Sequence, residues 1–143
     1  MQHNIGLLLG SDDLVAEFVA KGIWGEDTQK RIDAPYTAIG IMQNKELIGG
    51  VVFHSYDADS GVIEASAFAT TPRWYTRQVR DYLLNYAFNT NGCRILCART
   101  DENNHKVRNL WKKLGATETI LPRFIADDTD QILIILHRER YHG

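Results

Sequence analysis

Residues 62–84 read VIEASAFATTPRWYTRQVRDYLL, and this stretch decides the fold. Residues 62–69 are predicted to form a β-strand, in which every second side chain points to the same side. One face would carry Val62, Glu64, Ser66 and Phe68. Pro72 ends the strand, and apolar residues at i, i+4, i+7 and i+8 from Val79 then predict a helix over about 76–89. The stretch therefore indicates a strand, a turn and a helix in succession.

The same patterns place the other elements. On the N-terminal side we predict a strand at 5–9, a helix from the Ser11 cap to Gly22, a loop at 23–35, and a hairpin of strands 36–42 and 46–53 followed by a turn at 56–61. On the C-terminal side we predict a strand at 93–99, a helix from Asn103 or Asn104 to Gly115, and strands at 117–124 and 131–137.

This order of elements predicts an α/β (α+β) fold with one mixed central sheet of about six or seven strands and helices on both faces. The run 132–136 is apolar at every position, which is typical of a strand covered on both sides. A chain of 143 residues is expected to form a single domain over 1–143.

Composition excludes several classes of protein. A net charge of −2 provides no basic surface for nucleic acid, and the longest apolar runs are far shorter than the roughly 20 residues of a membrane span. The N-terminus lacks the basic start and apolar core of a signal peptide. We therefore expect a cytoplasmic protein with neither nucleic-acid nor membrane partners.

The two cysteines, Cys93 and Cys97, are predicted to be free thiols. On one strand they would lie about 13 Å apart, at roughly 3.3 Å per residue, which is too far for a disulfide. Their spacing does not match a zinc site either, and we expect no metal.

Two segments carry a resemblance to a known family. Residues 104–116, NHKVRNLWKKLGA, resemble the late helix of the GNAT superfamily of acyl-CoA-dependent N-acyltransferases, Asn-x-x-Ala-x-x-Leu-Tyr-x-x-x-Gly-Phe. Residues 72–84 align without gaps on that family's pyrophosphate-binding turn and helix, Pro-x-Tyr-Arg-Gly-Lys-Gly-Ile-Gly-x-x-Leu-Leu. The resemblance covers about 36–137 and implies a GNAT-like domain.

The chain departs from the family pattern at both signature glycines, which are replaced by Gln78 and Arg80. Glycine lets pyrophosphate oxygens approach the backbone N–H groups of a helix start. In this the chain resembles short members with a degenerate motif, such as those found in phage and prophage genomes. A phage-encoded protein would work in the cytoplasm of the bacterial host.

The resemblance implies acetyl-CoA as co-substrate and names the residues that would hold it. They are Phe68, Ala69, Arg73, Arg77, Gln78, Val79, Arg80 and Asn104. Arginine suits phosphate recognition, but the same arginines could form a solvated helix face. Asn104 could equally be a helix cap.

Glu64 is the candidate catalytic residue. In the family a Glu on the strand before the pyrophosphate turn takes a proton from the acceptor amine, and Glu64 lies on the corresponding strand. The alternative is a Glu at a strand edge or paired with a surface arginine.

Aromatic residues fill the remaining positions of interest. Trp111 stands where many members carry a proton-donating Tyr, but it has no usable acid and is expected in the core. Tyr75 and Tyr82 are the substitutes. Trp24, Phe53 and Trp74 are the candidate substrate contacts, and packing is the alternative for each.

The function implied is transfer of an acetyl or other acyl group from acetyl-CoA to a primary amine, small or protein-borne, by direct attack. The first alternative is a GNAT-fold protein without catalysis, serving as a binding or virion-associated structural module. The second is an unrelated α/β small-molecule binder. Pairing of the apolar C-terminal strand across a two-fold axis would give a homodimer.

Overall fold

A computed structural model describes residues 4–141, which form seven strands and three α-helices. The strands are β1 (Ile5–Leu8), β2 (Tyr36–Gln43), β3 (Glu46–Asp57), β4 (Val62–Ala69), β5 (Ile95–Asp101), β6 (Thr117–Ala126) and β7 (Thr129–His137). The helices are α1 (Asp12–Trp24), α2 (Arg77–Asn85) and α3 (His105–Lys113). The first three residues of the N-terminus considered for a signal peptide lie outside the described part.

The strands form one mixed sheet in the order β1-β2-β3-β4-β5-β7-β6. The pairs β1–β2, β2–β3, β5–β7 and β6–β7 are antiparallel, whereas β4 and β5 are parallel. A parallel pair needs a crossover connection, and α2 lies in the segment that joins these two strands. The predicted fold class and order of elements are confirmed.

The chain divides into two compact units. The first comprises the described residues up to Ser55 together with Ala65–Leu83, and the second comprises Tyr56–Glu64 and the residues from Leu84 onward. That the chain acts as a single domain stays a prediction.

Two adjacent glycines in β3 allow close packing in the first unit. A side chain at Gly50 would lie 2.8 Å and 2.9 Å from methyl groups of Val15 and Val19, both fully buried on α1. A side chain at Gly49 would lie 3.2 Å from Cβ of Trp74. Because successive residues of a strand face opposite sides, α1 covers one face here and the turn carrying Trp74 covers the other.

The end of α1 differs from the prediction. The helix passes through Gly22 and ends at Trp24, and the N–H of Gly25, with φ +107°, bonds to the Lys21 carbonyl at 2.8 Å. Gly22 serves packing instead, because a Cβ there would lie 2.1 Å from Cγ of Phe68. The glycine predicted to end the helix therefore admits an aromatic ring.

In the second unit α3 packs against β5 and β7. Ala98, Ile132 and Ile134 form a buried cluster, and Val107 and Trp111 of α3 pack on it. The apolar run of β7 alternates in burial, since residues 132, 134 and 136 are buried while 133 and 135 are half-buried. Of the two faces predicted to be covered, one is therefore buried and the other is covered in part.

Several element boundaries also differ. The helix predicted over 76–89 ends at Asn85 and continues as a π-helical turn, Tyr86–Thr90. β3 runs to Asp57, into the predicted turn, and β5 begins at Ile95 rather than residue 93. Cys93 and Cys97 are both free thiols. Within residues 4–141 no helix combines the length and the apolar composition that crossing a membrane requires.

Candidate active site

Glu64 lies in the parallel ladder between β4 and β5. The ladder joins residues 62–64 to residues 95–97, with Glu64 opposite Cys97, and β4 then runs on to Ala69. The Glu64 side chain is only 16% exposed, and its Oε2 lies 3.5 Å from Nε of Arg99. The carboxylate is thus half-buried and beside a cation.

Arg99 is a residue of this site that the sequence analysis did not identify. Besides Glu64, it reaches Oε1 of Gln131 on β7 from its Nη1 atom at 3.5 Å. The pairing with an arginine was the alternative stated for Glu64. It does not decide the catalytic role, because a carboxylate beside a cation still offers an oxygen atom to a substrate proton.

Cys97 faces the same surroundings but does not act as a nucleophile at neutral pH. Burial, and then the negative charge of Glu64, raise the pKa of the Cys97 thiol to about 11, against the opposing effect of Arg99. Since the thiolate is the reactive form, Cys97 remains a protonated thiol. The site therefore offers a carboxylate rather than a cysteine for chemistry.

The turn after β4 is fixed by threonine side chains. The amide and the hydroxyl of Thr70 both donate to the carbonyl of Ile48, at 2.9 Å and 3.3 Å. Thr71 Oγ1 accepts from the amide and from Nε of Arg73, both at 3.4 Å. The Thr70 amide and hydroxyl are therefore both engaged within the protein, and Phe68 and Ala69 stay the predicted acetyl-CoA contacts on β4.

The start of α2 offers hydrogen-bond donors. Thr76 Oγ1 accepts from the amide of Val79 at 3.1 Å, and the Thr76 carbonyl accepts from the amide of Arg80 at 2.9 Å. The amides of Arg77 and Gln78 have no acceptor among residues 4–141. Val79 itself is 2% exposed and anchors the helix. Two free N–H groups at the positive end of a helix favour an anion.

The three arginines near this helix start differ in their contacts. Arg73 donates to Thr71, and Arg80 forms an ion pair with Asp81 at 2.9 Å. Arg77 is exposed, and no group in the described part of the chain forms a hydrogen bond or ion pair with its side chain. Of the three, Arg77 is therefore the guanidinium whose donors are all unengaged in the described part of the chain.

Two tyrosines were predicted as substitutes for the missing acid. Tyr75 is half-buried beside Trp74, with ring centroids 5.3 Å apart, and burial raises the pKa of its hydroxyl. Tyr82 is exposed on α2. A raised pKa keeps the Tyr75 hydroxyl protonated, so it can donate a hydrogen bond.

Trp111 lies on α3 and Asn104 directly before it, both in the second unit. Asn104 Oδ1 accepts from the amide of Val107 at 3.3 Å, so the side chain caps the helix. Trp111 is half-buried against the cluster of Ala98, Ile132 and Ile134, which confirms its place in packing. The helix-cap alternative stated for Asn104 thus describes what its side chain does in this structure.

The three predicted substrate contacts lie in different environments. Trp24 is 40% exposed at the end of α1, with Nζ of Lys30 5.9 Å from its ring centroid. Trp74 is half-buried against Gly49, and Phe53 is buried in the interior. Phe68 packs edge-on against Phe18, with centroids 5.7 Å apart. Trp24 and Trp74 are accessible to a ligand in a way that Phe53 is not.

His54 and Ser66 form a polar pair that the sequence analysis missed. His54 Nε2 lies 2.8 Å from Ser66 Oγ, and His54 Nδ1 lies 3.0 Å from Ser55 Oγ. Ser66 follows Glu64 by two residues on β4, and so it shares the face of that strand. A separation of twelve positions conceals the pair in the sequence, because only the adjacency of β3 and β4 brings His54 and Ser66 together.

Comparison with known proteins identifies the family to which the chain belongs. The family model described as an acetyltransferase (GNAT) domain matches residues 9–117. No curated protein matches the sequence.

Solved structures of similar fold include spermidine/spermine N-acetyltransferase SpeG from Vibrio cholerae. One set of SpeG variants is 18% identical over 76% of this chain and 68% of that one, with a TM-score of 0.66. Another SpeG variant is 13% identical over 96% and 95%, with a TM-score of 0.77. A putative acetyltransferase from T. thermophilus is 17% identical over 76% and 62%, with a TM-score of 0.64. These likenesses are of fold, and the family match, which spans more than half of the sequence, shows that the chain belongs to the acetyltransferase (GNAT) domain family.

Proposed function

We propose that this protein is an N-acetyltransferase that moves an acetyl group from acetyl-CoA to a primary amine by direct transfer. The observation that carries the proposal is the start of α2, which presents the amides of Arg77 and Gln78 and the unengaged Arg77 guanidinium. Pyrophosphate is an anion that fits such a helix start. The family membership supplies the reaction class.

In this proposal the chain holds acetyl-CoA through several groups. The amides of Arg77 and Gln78 bind pyrophosphate oxygens, with Arg77 adding charge-assisted hydrogen bonds. Arg73, Val79 and Arg80 are the other candidates, and each already makes a hydrogen bond or ion pair within the protein. The remaining predicted contacts are Phe68 and Ala69 on β4, for the thioester, and Asn104, the N-cap of α3.

Glu64 is the proposed proton acceptor. An ammonium cannot attack a thioester, so one proton must first leave the nitrogen, and the half-buried carboxylate can take it. The free amine then attacks the thioester carbon, the C–S bond breaks, and the nitrogen loses a second proton, which balances the charge of the CoA thiolate. The CoA thiolate can leave unprotonated, because the pKa of a thiol is about 8.5. Tyr75, which keeps its proton, is the candidate donor to the sulfur afterwards.

We propose a small polyamine as the first acceptor to test. The similar structures include enzymes titled spermidine N-acetyltransferases, although their identity to this chain is low. Trp24 and Trp74 are the predicted substrate contacts that a ligand can reach, since neither is fully buried.

A second candidate function is a GNAT-fold module that has lost catalysis. Side chains at Gln78 and Arg80 replace the family glycines, and Thr76 already occupies the Val79 amide. Both features reduce the space and the donors available to pyrophosphate. This candidate predicts either no binding of acetyl-CoA or binding without turnover.

Thermal unfolding with and without acetyl-CoA distinguishes the candidates. A ligand at about 100 times its Kd stabilises a protein by roughly 2.7 kcal/mol. For a domain of this size that corresponds to a rise of roughly 5–11 °C in melting temperature. Adenosine, which lacks the pyrophosphate, serves as control. No shift at millimolar acetyl-CoA would argue for the non-catalytic module.

Glu64→Gln tests the chemistry, with turnover measured on a panel of primary amines that includes spermidine. We expect a large loss of kcat and an unchanged affinity for acetyl-CoA, because the amide cannot accept a proton but keeps the shape of the side chain. Glu46→Gln, on an exposed residue of β3, is the matched control. Wild-type turnover in Glu64→Gln would remove Glu64 as the base.

A further inference from the structure

The guanidinium of Arg99 lies beside the proposed base but is held only loosely. Its Nε lies 3.5 Å from Oε2 of Glu64, and its Nη1 lies 3.5 Å from Oε1 of Gln131. Both distances exceed the range of about 2.7–3.2 Å that is usual for N–H···O hydrogen bonds. Its Nη2 has no partner within residues 4–141. The guanidinium therefore has donors available to a further acceptor.

Arg108, in the same compact unit, shows the opposite arrangement. It donates three hydrogen bonds, at 3.0 Å and 2.9 Å to Glu118 and at 2.7 Å to the carbonyl of Glu102. Its side chain is 21% exposed, whereas that of Arg99 is 44% exposed. Arg108 thus holds the fold together, and Arg99 is open to a ligand.

The Glu64 carboxylate is also only partly engaged. Its Oε2 faces Arg99, and its Oε1 has no partner in the part of the chain that the structure describes. A carboxylate with one open oxygen and a guanidinium with open donors therefore lie side by side. Such a pair can receive a ligand that carries both a positive and a negative charge.

The two charged side chains share one face of the sheet with apolar residues. Glu64 pairs with Cys97, and Arg99 follows Cys97 by two residues, so all three side chains point to the same side. Ile135 and Leu133 of β7 lie opposite Cys97 and Arg99, and both are half-buried. The helix α3 packs against the other face of these strands. The charged pair is therefore bordered by apolar side chains that α3 does not cover.

An α-amino acid matches this set of groups. Its ammonium and its carboxylate are attached to the same carbon atom, so its two opposite charges lie as close together as those of Glu64 and Arg99. Arginine binds carboxylate through two parallel hydrogen bonds, which fix the orientation of the ligand. A polyamine carries positive charges only, and charges of the same sign repel one another. The charges beside the proposed base therefore favour a zwitterion over a polycation.

We propose that the acceptor is an α-amino acid with an apolar side chain, and that Arg99 determines this specificity by binding its carboxylate. This inference rests on the proposed acetyltransferase function and names its substrate class. The ammonium lies against Glu64, and the side chain lies along Leu133 and Ile135. After Glu64 has taken one proton, the C–N bond forms as the C–S bond breaks, and the nitrogen loses its second proton. The products are an N-acetylamino acid and CoA.

Apolar α-amino acids and their amides test the role of Arg99, with leucine and leucinamide as the first pair and spermidine for comparison. The amide keeps the amine and the side chain but lacks the carboxylate. Because the two amines differ in pKa, the ratio of kcat/KM for leucine to that for leucinamide is compared between proteins. We expect Arg99→Gln to lower this ratio by about tenfold to a hundredfold, as for the loss of a hydrogen bond between charged groups. The change should lie in KM for leucine.

Arg138→Gln is the matched control, since Arg138 is exposed and follows the end of β7. It should leave the ratio at the wild-type value. Arg99→Lys keeps the charge without the planar pair of donors and should lower the ratio less than Arg99→Gln does. It also gives a reading if Arg99→Gln does not fold. A ratio that neither substitution at Arg99 changes would overturn the inference.

The wild-type protein separates this inference from the proposed function. If it acetylates spermidine or the amides but none of the α-amino acids, the proposed function stands and the substrate class inferred here is wrong. If it acetylates no amine at all, the proposed function fails and this inference fails with it.

Discussion

The two helices α2 and α3 begin in the same way but differ in the arginine that follows. Thr76 caps α2 through a bond from the Val79 amide at 3.1 Å, and Asn104 caps α3 through a bond from the Val107 amide at 3.3 Å. In each case the capping oxygen accepts from the N–H three residues later, the usual N-cap arrangement. The capping bonds are therefore the same in both helices and do not indicate which of the two helix N-termini binds a ligand.

The arginines do tell them apart. Arg108 on α3 donates from Nε and Nη2 to the Glu118 carboxylate, at 3.0 Å and 2.9 Å, and from Nη1 to the Glu102 carbonyl at 2.7 Å. Arg77 on α2 has no such partner among residues 4–141. A guanidinium with its donors engaged holds the fold together, and one without partners is available to an anion. We therefore expect substitutions on α3 to affect stability and those at the start of α2 to affect binding.

Of the substitutions that compare the two helices, Trp111→Ala should have the largest effect, and the effect is on stability. The indole of α3 packs on the cluster of Ala98, Ile132 and Ile134, and removing it leaves a cavity. We expect a loss of about 3 kcal/mol in the free energy of unfolding, the lower end for Trp→Ala because the side chain is half-buried. Urea unfolding measures it.

Trp24→Ala is the control for this substitution, since Trp24 is 40% exposed. It should cost much less stability. A Trp111→Ala protein that is stable yet inactive would instead assign Trp111 to the active site.

Arg108→Ala should come next in size. It removes the two bonds to Glu118 and leaves that half-buried carboxylate beside Lys112 alone, 4.0 Å away. We expect a lower melting temperature, by less than Trp111→Ala causes, because no large cavity forms. Affinity for acetyl-CoA per folded molecule should stay near the wild-type value.

The effect of Arg108→Ala should also depend on pH. The bonds from Arg108 hold the pKa of Glu118 below its usual value. A lowered pKa in the folded state stabilises the protein fully above the unfolded pKa of about 4.3, and this contribution is lost as the pH falls through the folded pKa. The difference from wild type should therefore shrink between pH 7 and pH 3. A difference that stays constant would mean that packing of the arginine stem, not charge, is responsible.

Most of the fold follows from local pattern, and this explains why it could be predicted. The strand predicted from alternation over 62–69 has the same first and last residues as β4. The helices predicted from apolar spacing begin and end within a few residues of α2 and α3. Gly22 shows the limit of this approach. A glycine near the end of a helical pattern predicts a C-cap, but here it makes room for Phe68, more than forty residues later in the sequence.

The candidate site could be predicted only one residue at a time. The strand position of Glu64 follows from alternation, whereas its partner Arg99 depends on the register of two parallel strands, which no local pattern specifies. The pair of His54 and Ser66 likewise depends on neighbouring strands. A sequence gives the type of each residue and the helix or strand to which it belongs. Which arginine lacks a partner is decided by tertiary packing, which local pattern does not show.

Arg77→Ala tests whether the start of α2 serves binding rather than stability. The side chain is exposed and has no partner in the described part of the chain, so its loss should leave the melting temperature unchanged. We expect about fivefold weaker binding of acetyl-CoA, typical of one exposed ion pair. Binding of S-acetylpantetheine, which lacks the pyrophosphate, should not change. Equal weakening for both ligands would point to a change in folding, and Arg138→Ala is the matched control.

Thr76→Ala should have the smallest net effect, because it changes stability and binding in opposite directions. Loss of the cap should lower the free energy of unfolding by about 1 kcal/mol. The same change frees the Val79 amide, which then points with those of Arg77 and Gln78 toward any bound anion. Affinity for acetyl-CoA, measured by calorimetry, should therefore stay equal or rise. Asn104→Ala, which removes the corresponding cap of α3, should lose similar stability with no gain in affinity. A fall in affinity for Thr76→Ala would show that the capped geometry itself is needed to receive the pyrophosphate.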